Sequence, residues 1–243
     1  MRRLLPDPVD LVDDAALADA YRLPAGRNLR VNFVVALDGA ISVEGRSGGL
    51  GSPGDLRVFR VLRALADAVL VGAGTAAAEG YRPITAGSPV GRLRVRLGRP
   101  ALAPVVIVSR RASLDPADQL VTDALASTHL VTCTAADPDR RAALTAAGVH
   151  VHVCGDDDVE LPAALDALAE DGLDQVLCEG GPALFGAALA AGVVDELDLT
   201  TAPLLVGGGP RLLPGALPAP VRAELTQLLT EDGVQFGRYA VRR

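Results

Sequence analysis

Two kinds of hydrophobic pattern alternate along the chain. Short aliphatic and β-branched runs with the length of buried strands lie at residues 29–37, 68–71, 105–108, 129–132, 149–153 and 175–177. Alanine-rich stretches with apolar residues at helical spacing lie between several of these runs, at 140–147, 162–170 and 182–191. Strands that alternate with helices predict a three-layer α/β sandwich around a mostly parallel sheet.

The remaining segments refine this architecture. Residues 194–201 and 234–242 are strand-like but do not repeat the earlier unit, which predicts antiparallel C-terminal edge strands. Residues 1–27 show little periodicity and contain three prolines, so we expect an N-terminal extension followed by a single domain over residues 28–243. Residues 92–99 alternate arginine with apolar side chains, which we interpret as an exposed loop or edge.

The sequence indicates the start of one helix clearly. Ser52, Pro53 and Asp55 have the residue types of an N-cap, a first-turn proline and a capping acid three residues on. Apolar residues at helical spacing follow, which predicts a helix that carries Arg63.

The charge balance narrows the classes of function. The 243 residues include 30 acidic and 23 basic side chains, and every basic residue is arginine, so the net charge is −7. The lack of lysine excludes a phosphate-binding loop ending in Gly-Lys and a lysine Schiff base. An acidic domain repels nucleic acid, and no run approaches the roughly 18 apolar residues of a membrane span. We therefore expect a cytoplasmic protein that binds neither nucleic acid nor membrane.

The cysteines indicate neither a disulfide framework nor a metal site. Cys133, Cys154 and Cys178 lie 21 and 24 residues apart, each at the end of a strand-like run. This spacing fits no zinc motif, so we expect buried, reduced thiols and no bound metal.

Two glycine motifs match widespread signatures incompletely. Residues 45–49 read Gly-Arg-Ser-Gly-Gly, as in a hydrolase nucleophile elbow, but further loop residues separate Ser47 from the next predicted helix. Residues 72–77 follow a strand and read like a dinucleotide fingerprint, but arginines occupy the region about 20 positions on where an acidic residue is expected. It is still possible that these glycines form a turn at which the backbone approaches a cofactor.

The segment at residues 178–186 is the most informative. A strand-like run ends in Cys178-Glu179-Gly180-Gly181 and continues into Pro182 at the start of an alanine-rich helix. Backbone N–H groups at such a helix start attract anions, and glycines let a phosphate approach closely. Glu179 is expected at the carboxyl edge of the sheet, where α/β folds place their ligands.

These segments together resemble the pyrimidine reductases of riboflavin biosynthesis, the reductase domain of the bifunctional deaminase/reductase. The landmarks, in order, lie at residues 31–39, 47–53, 63, 74–79, 178–186 and 193–197, and the resemblance covers nearly all of residues 29–243. It implies a dihydrofolate-reductase-like fold and NADPH-dependent reduction of 5-amino-6-(5-phosphoribosylamino)uracil, or a related pyrimidine, to its phosphoribitylamino form. It also implies a homodimer.

The resemblance also implies residue roles. The positions that match substrate-contacting residues are Ser47, Arg63, Arg82 and Glu179. The positions that match cofactor-contacting residues are Val34, Gly49, Thr75, Glu79, Gly180, Gly181, Pro182, Ala183, Leu184, Phe185, Gly186 and Ala187. Ser109 and Arg110 follow a strand where they can hold the 2′-phosphate of NADPH, and Glu179 and Asp38 are the candidate proton donors.

The sequence departs from the family pattern at several points. Ala36 stands where the family has serine, Gly49 replaces a common aromatic residue, and the zinc-deaminase signature is absent. Three alternatives therefore stay open: a dihydrofolate or pterin reductase of the same fold, a non-catalytic NADPH-binding regulatory protein, and a hydrolase that uses Ser47.

Overall fold

A single eleven-stranded sheet organises the chain. The computed structural model describes residues 1–242. The strands are β1 (Arg2–Leu5), β2 (Val9–Asp10), β3 (Asn28–Ala36), β4 (Ala68–Gly72), β5 (Val105–Val108), β6 (His129–Thr132), β7 (His150–Val153), β8 (Gln175–Cys178), β9 (Glu196–Ala202), β10 (Arg222–Glu231) and β11 (Val234–Arg242). The helices are α1 (Asp14–Tyr21), α2 (Pro53–Leu65), α3 (Ala73–Glu79), α4 (Pro89–Arg96), α5 (Gln119–Thr122), α6 (Pro138–Ala146), α7 (Leu161–Glu170) and α8 (Pro182–Ala190).

The strand order explains the two kinds of pattern in the sequence. It is β2-β1-β10-β11-β9-β3-β8-β4-β5-β6-β7, and every pair from β9 to β7 is parallel. The pairs β9-β11, β11-β10, β10-β1 and β1-β2 are antiparallel. The predicted fold class, a mostly parallel sheet with antiparallel C-terminal edge strands, is confirmed.

Helices cover both faces of the sheet. In the central strand β8, Val176 and Cys178 pack with α7 and α8, whereas Leu177 between them packs with α1 and α2. Successive side chains of a strand point to opposite faces, so a continuous apolar run is what a strand covered on both sides requires. The three layers follow from this pattern.

The start of α2 is the one that the sequence indicates. The Ser52 side chain accepts a hydrogen bond from the Asp55 N–H at 3.1 Å, and Pro53 occupies the first turn. This cap satisfies an N–H that has no partner within the helix.

The prediction of an exposed loop at residues 92–99 is wrong. Most of this segment belongs to α4, and Arg94 is only 2% exposed. Its guanidinium donates to the carbonyl oxygens of Ala66 at 2.5 Å and Pro100 at 2.7 Å. The guanidinium therefore caps the C-terminal end of α2, and this pairing makes its burial tolerable.

Residues 1–27 are joined closely to the rest of the sheet. β1 pairs with β10, β2 extends that edge, and α1 packs on α2. The Arg30 guanidinium, beside the Glu196 carboxylate, lies within hydrogen-bond distance of the Tyr21 carbonyl oxygen, so a buried ionic cluster ties α1 to the sheet.

The cysteines have the environment expected of them. Cys133, Cys154 and Cys178 are all buried and carry free thiols. Within residues 1–242, none of the helices has the length and apolar character needed to cross a bilayer.

Candidate active site

A cavity of about 670 Å³ opens at the carboxyl ends of β3, β8 and β4, three neighbouring strands at the centre of the sheet. Its walls come from the end of β3, one face of α2, the start of α3 and the loop after it, and the β8–α8 turn. Open α/β sheets bind their ligands at this edge, and the volume suits a small-molecule site. Of the residues expected to bind ligands, the cavity brings together Val34, Ser47, Arg63, Thr75, Glu79, Arg82, Glu179, Gly181 and Pro182.

A buried polar cluster of Arg63, Glu179 and Tyr81 lines this cavity. The Arg63 Nε and Nη2 atoms each donate to a different oxygen of Glu179 at 2.7 Å, a bidentate pair. The Tyr81 hydroxyl donates to Glu179 Oε2 at 2.6 Å. The Arg63 guanidinium also lies 4.3 Å from the ring centre of Phe59 and 5.2 Å from that of Tyr81. Arg63, which was expected to bind a substrate phosphate, therefore directs its guanidinium at Glu179.

The electrostatics of the cluster follow from its burial. Burial and the neighbouring Glu179 carboxylate raise the pKa of Tyr81 above its usual value. Burial acts to lower the pKa of Arg63, but the Glu179 carboxylate outweighs it and raises that pKa above its ordinary value. The phenol thus stays protonated and the guanidinium stays charged at any working pH. Both oxygens of Glu179 accept hydrogen bonds, so this geometry presents Glu179 as an acceptor rather than as a proton donor.

The β8–α8 turn forms a close-fitting cradle beside the cluster. A Cβ atom on Gly181 would lie 2.4 Å from Thr75 Oγ1, and one on Gly180 would lie 2.7 Å from the ring of Phe33. Gly180 also has a φ of +90°, which glycine adopts without strain. Helix α8 starts at Pro182 without a side-chain cap on Gly181, so its first N–H groups are available to an anion.

A further carboxyl group, Asp55, faces the cavity from the first turn of α2. Burial raises its pKa above the ordinary value, although a hydrogen bond with the Thr200 side chain acts in the opposite direction. Asp55 was expected only as a helix-capping residue, and its place in the site was missed.

A hydrogen bond between a 3-10 turn and α3 holds one wall of the cavity. The Ser47 N–H donates to Glu79 Oε1 at 2.9 Å, which joins the 3-10 turn Ser47–Gly49 to the end of α3. Arg82 is exposed and lines the same side of the cavity. Two residues expected to contact different ligands thus contact each other.

Asp38 and Gly49 lie outside the lining of the cavity. The Asp38 carboxylate accepts hydrogen bonds from the N–H groups of Gly207 at 2.6 Å and Val206 at 3.1 Å. The Gly207 contact lowers the pKa of Asp38, so this group is ionised and anchors a loop instead of holding a proton. A Cβ atom on Gly49 would lie 2.7 Å from Val43 Cβ, which explains why this chain has no aromatic residue there.

The predicted 2′-phosphate pair, Ser109 and Arg110, lies beside the cavity but does not line it. Both residues follow β5, the neighbour of β4, and neither is among the residues that line the cavity. The Ser109 hydroxyl is buried and bonds to the backbone N–H and the side chain of Ser113. Arg110 is exposed.

Helix α8 divides its predicted cofactor residues between two environments. Leu184 and Phe185 are buried in the core, where Phe185 packs on Phe33 with ring centres 5.3 Å apart. Gly186 faces Leu213 and Pro214. None of the residues 183–187 lines the cavity, so only the beginning of the helix adjoins it.

The aromatic residues of the site, Phe33, Phe59 and Tyr81, were missed. Their rarity was an available signal, because the chain has only four phenylalanines, three tyrosines and no tryptophan. Tyr81 lies between two residues that were expected in the site, Glu79 and Arg82, so its neighbours marked it as well.

Comparison with known proteins identifies the family. Residues 27–233 match the model of the RibD C-terminal domain. Riboflavin biosynthesis protein RibD of Bacillus amyloliquefaciens is 33% identical over 150 residues, which span 60% of this chain and 38% of that protein. The 2,5-diamino-6-ribosylamino-4(3H)-pyrimidinone 5′-phosphate reductase of Methanothermobacter thermautotrophicus is 32% identical over 179 residues, 73% of this chain and 78% of that protein.

Similar solved structures support the same family. A pyrimidine reductase-like protein from Corynebacterium diphtheriae superposes with a TM-score of 0.78 at 30% identity, over 89% of this chain and 92% of that one. RibD of Acinetobacter baumannii shares the fold with a TM-score of 0.71 at 20% identity, over 89% of this chain and 58% of that one. The expected enzyme class, an oxidoreductase, is confirmed by the relatives' names. Because the family model spans most of its length, the chain belongs to the RibD C-terminal domain family, the reductases of riboflavin biosynthesis.

Proposed function

We propose that the chain is an NADPH-dependent reductase of a phosphorylated ribosylaminopyrimidine and forms the ribitylamino product. The observation that carries this proposal is the cavity at the carboxyl edge of β3, β8 and β4. It combines the Arg63–Glu179–Tyr81 cluster, an exposed arginine and the uncapped start of α8 in one enclosure.

The residues present fit a dinucleotide phosphate. Gly181 and Pro182 line the cavity where α8 begins, no side chain caps that helix, and a helix N-terminus attracts an anion. Bound NADPH would supply the hydride that reduces C1 of the opened sugar. The protein's contribution is to hold this region rigid and to exclude water from it.

The polar cluster recognises the pyrimidine or the sugar. A carboxylate offers about four lone-pair positions, and three hydrogen bonds from Arg63 and Tyr81 already reach Glu179. One position is left for an N–H or hydroxyl of the substrate. Arg63 and Tyr81 fix the orientation of that acceptor, which makes them positioning residues.

Asp55 is the group we assign to proton delivery. Reduction of the sugar consumes a proton as well as a hydride, and the raised pKa of Asp55 keeps its carboxyl protonated to higher pH than usual. Neither Glu179, which accepts at both oxygens, nor Asp38, which is bound by backbone N–H groups, offers a proton in this structure.

The test is NADPH oxidation by the purified protein with three substrates in parallel. These are the phosphoribosylamino-pyrimidine, its dephosphorylated nucleoside and dihydrofolate, each also tried with NADH. Turnover that prefers the phosphorylated pyrimidine and NADPH supports the proposal. Turnover of dihydrofolate alone indicates a pterin reductase, and NADPH binding without any turnover indicates a regulatory protein; either result contradicts it.

The role of Asp55 is tested by Asp55→Asn. We expect kcat to fall by about 10²–10⁴-fold, as for loss of a general acid. For the wild type we expect kcat to decline as pH rises through the raised pKa of Asp55, and this limb should vanish in the variant. Asp139→Asn, which changes an acid in the first turn of the distant helix α6, is the matched control. A variant with normal kcat at all pH values contradicts the assignment.

Arg82 is the cation available to the substrate phosphate, because Arg63 uses Nε and Nη2 for Glu179. Arg82→Ala should raise KM for the phosphorylated substrate with little change in kcat. It should leave KM for the dephosphorylated nucleoside unchanged. Arg60→Ala, at an exposed residue of α2 outside the cavity, is the control. Equal effects on both substrates would show that Arg82 does not bind the phosphate.

The homodimer is also part of the proposal. Light scattering of the full chain should give twice the 24.9-kDa chain mass. A monomeric mass contradicts this part without affecting the proposed reaction.

A further inference from the structure

All three histidines of the chain converge on one carboxylate at the edge of the sheet. His129 lies at the start of β6, His150 and His152 lie on the edge strand β7, and Asp171 follows α7. One ligand atom from each of these four residues lies within 4.8 Å of all the others. We call this group the histidine cluster.

The topology explains why these residues meet. His129 and His150 are partners in the register of the parallel pair β6-β7, so their side chains project from the same face. His152 follows His150 by two residues and returns to that face. Helix α7 packs on β7 and places Asp171, the residue after its last turn, over the three imidazoles.

The distances are close to those of a tetrahedral metal site. Bonds of about 2.0–2.1 Å to zinc put neighbouring ligand atoms about 3.3 Å apart in a tetrahedron. His129 Nδ1 lies 2.9 Å from His152 Nε2. Asp171 Oδ2 lies 3.7 Å from His129 Nδ1, 3.3 Å from His150 Nδ1 and 3.5 Å from His152 Nε2. These four separations scatter around the tetrahedral edge, and the other two, between His150 and the other histidines, are at most 4.8 Å, so side-chain rotation would be enough to enclose an ion.

The surroundings allow an ion to enter and the rings to turn. The side chains of His129 and His152 are 9% and 8% exposed, whereas those of His150 and Asp171 are 52% and 29% exposed and form an entrance. The rings are inclined by 16–42° to one another. The χ2 torsion of histidine has a broad energy minimum, so each ring can aim a nitrogen lone pair at a shared centre.

We propose that the histidine cluster binds one divalent transition-metal ion, with zinc as the preferred ion, through His129, His150, His152 and Asp171. Three imidazoles and one carboxylate form a ligand set for zinc or a neighbouring transition metal, whereas calcium and magnesium prefer sites made of oxygen ligands. Four protein ligands leave no open position, which is typical of a structural rather than a catalytic zinc site.

The position of the cluster indicates what the metal does. The cavity lies at the carboxyl ends of β3, β8 and β4, whereas His129 is at the amino end of β6, next to the edge of the sheet. The ion would link the edge strand β7 to β6 and to the end of α7. It would stabilise that edge, and the proposal does not depend on the proposed reductase activity.

The test uses the full chain without a polyhistidine tag, stripped of metal with a chelator and dialysed. Cobalt(II) is titrated first, because its visible d–d bands are intense when its coordination is tetrahedral, and zinc is then added to displace it. We expect one equivalent of cobalt, displacement by one equivalent of zinc, and a rise of Tm on zinc binding. Because the three histidines are the only ones in the chain, the histidine ring signals in NMR spectra should all shift together.

Three variants make the test specific. His150→Ala and Asp171→Asn change exposed ligands. Removal of a residue that only supports a metal ligand weakens metal binding by about 10–100-fold, so loss of a ligand itself should weaken cobalt binding by at least about tenfold. Glu170→Gln removes the same charge from the neighbouring exposed residue and should bind cobalt as the wild type does. Weak or substoichiometric binding, cobalt bands that are not tetrahedral, or equal binding by the wild type and all three variants would overturn the proposal. If His150→Ala fails to fold, the comparison of cobalt binding by Asp171→Asn and by Glu170→Gln is sufficient to test the proposal.

Discussion

The contact between Gly181 and Thr75 gives the sharpest prediction about the cofactor side of the site. Gly181→Ala would place a Cβ atom 2.4 Å from Thr75 Oγ1 and 3.7 Å from Thr75 Cβ. The first distance is a severe overlap, and the second is an ordinary van der Waals contact. Gly181 has a φ of −71°, which an alanine adopts freely, so φ adds no strain and the prediction rests on the overlap with Thr75.

The magnitude follows from this geometry. Extra carbon atoms in a packed region cost about 1–3 kcal/mol, and for a domain of this size each kcal/mol lowers Tm by about 2–4 °C. Thr75→Ala removes Oγ1 and keeps the Cβ atom, so the overlap disappears. Thr75→Ala alone should be nearly neutral, because alanine is the better helix former at a position inside α3.

A double-mutant cycle measures the interaction. We expect urea unfolding to show a clear loss for Gly181→Ala and a much smaller loss for Thr75→Ala/Gly181→Ala, with a coupling energy of about 1–3 kcal/mol. NADPH affinity, followed by its fluorescence, should recover in the double variant to the level of Thr75→Ala. Additive losses in the double variant would refute the reasoning, because they would mean that Thr75 is not what an alanine at 181 meets.

Gly180 supplies the contrasting control. A Cβ atom there meets the Phe33 ring at 2.7 Å, and the φ of +90° strains any other residue. Thr75→Ala should therefore give no rescue of Gly180→Ala. Rescue of both glycine variants would indicate a general loosening of the turn instead of the specific contact.

Three further predictions concern buried polar groups. Tyr81→Phe should lower the free energy of unfolding by about 1.5–3 kcal/mol, because it removes a hydrogen bond to a charged carboxylate, and a loss well below this in urea unfolding contradicts the cluster geometry. Arg94→Met should cost about 2 kcal/mol or more by the same assay, since it leaves the Ala66 and Pro100 carbonyl oxygens without their donor. Burial raises the pKa of Asp198 to about 8, so the folded state retains a proton that the unfolded chain loses near its ordinary pKa. Stability should therefore fall as pH rises from about 4 to about 8. The Asp198→Asn variant should have the same Tm as the wild type near pH 4 and a higher Tm above pH 8. Equal melting curves of the two proteins at all pH values contradict this prediction.

The parallel half of the fold was predictable because its strands are buried on both faces. β4, β5 and β6 appear in the sequence as uninterrupted apolar runs, and their predicted bounds differ from the observed ones by one residue at most. β10 gave no such signal, because most of its first half is exposed and its polar residues interrupt the pattern. Strands β1 and β2 are equally weak in isolation, since β1 depends on its pairing with the distant strand β10 and β2 depends on its pairing with β1.

The site was predictable where it depends on backbone geometry and less so where it depends on which side chains meet. The Gly180–Gly181 turn and its helix follow from local sequence. The sequence could not show which group the Arg63 guanidinium binds, because a phosphate and a carboxylate are both good partners for it. Glu179 is 116 residues away along the chain, and only the sheet brings the two side chains together. The histidines were missed for a similar reason. His150 and His152 share a face of one strand, but only the register with β6 adds His129 to them.

The misread arginine segment shows how these contacts depend on one another. Arg63 is in the last turn of α2, and its position depends on how that helix ends. Arg94 binds the carbonyl oxygens just beyond that turn, with a further bond of 3.2 Å to the carbonyl oxygen of Arg63 itself. Arg94, which is buried and does not line the cavity, thus holds the end of the helix from which Arg63 reaches Glu179. The acceptor proposed to recognise the substrate is therefore positioned by a chain of contacts that runs from α4 through α2 to the carboxyl end of β8. Because the links in this chain are buried or partly buried hydrogen bonds, we expect a substitution at Arg94 to alter the position of Glu179, although the two residues are on different layers of the fold.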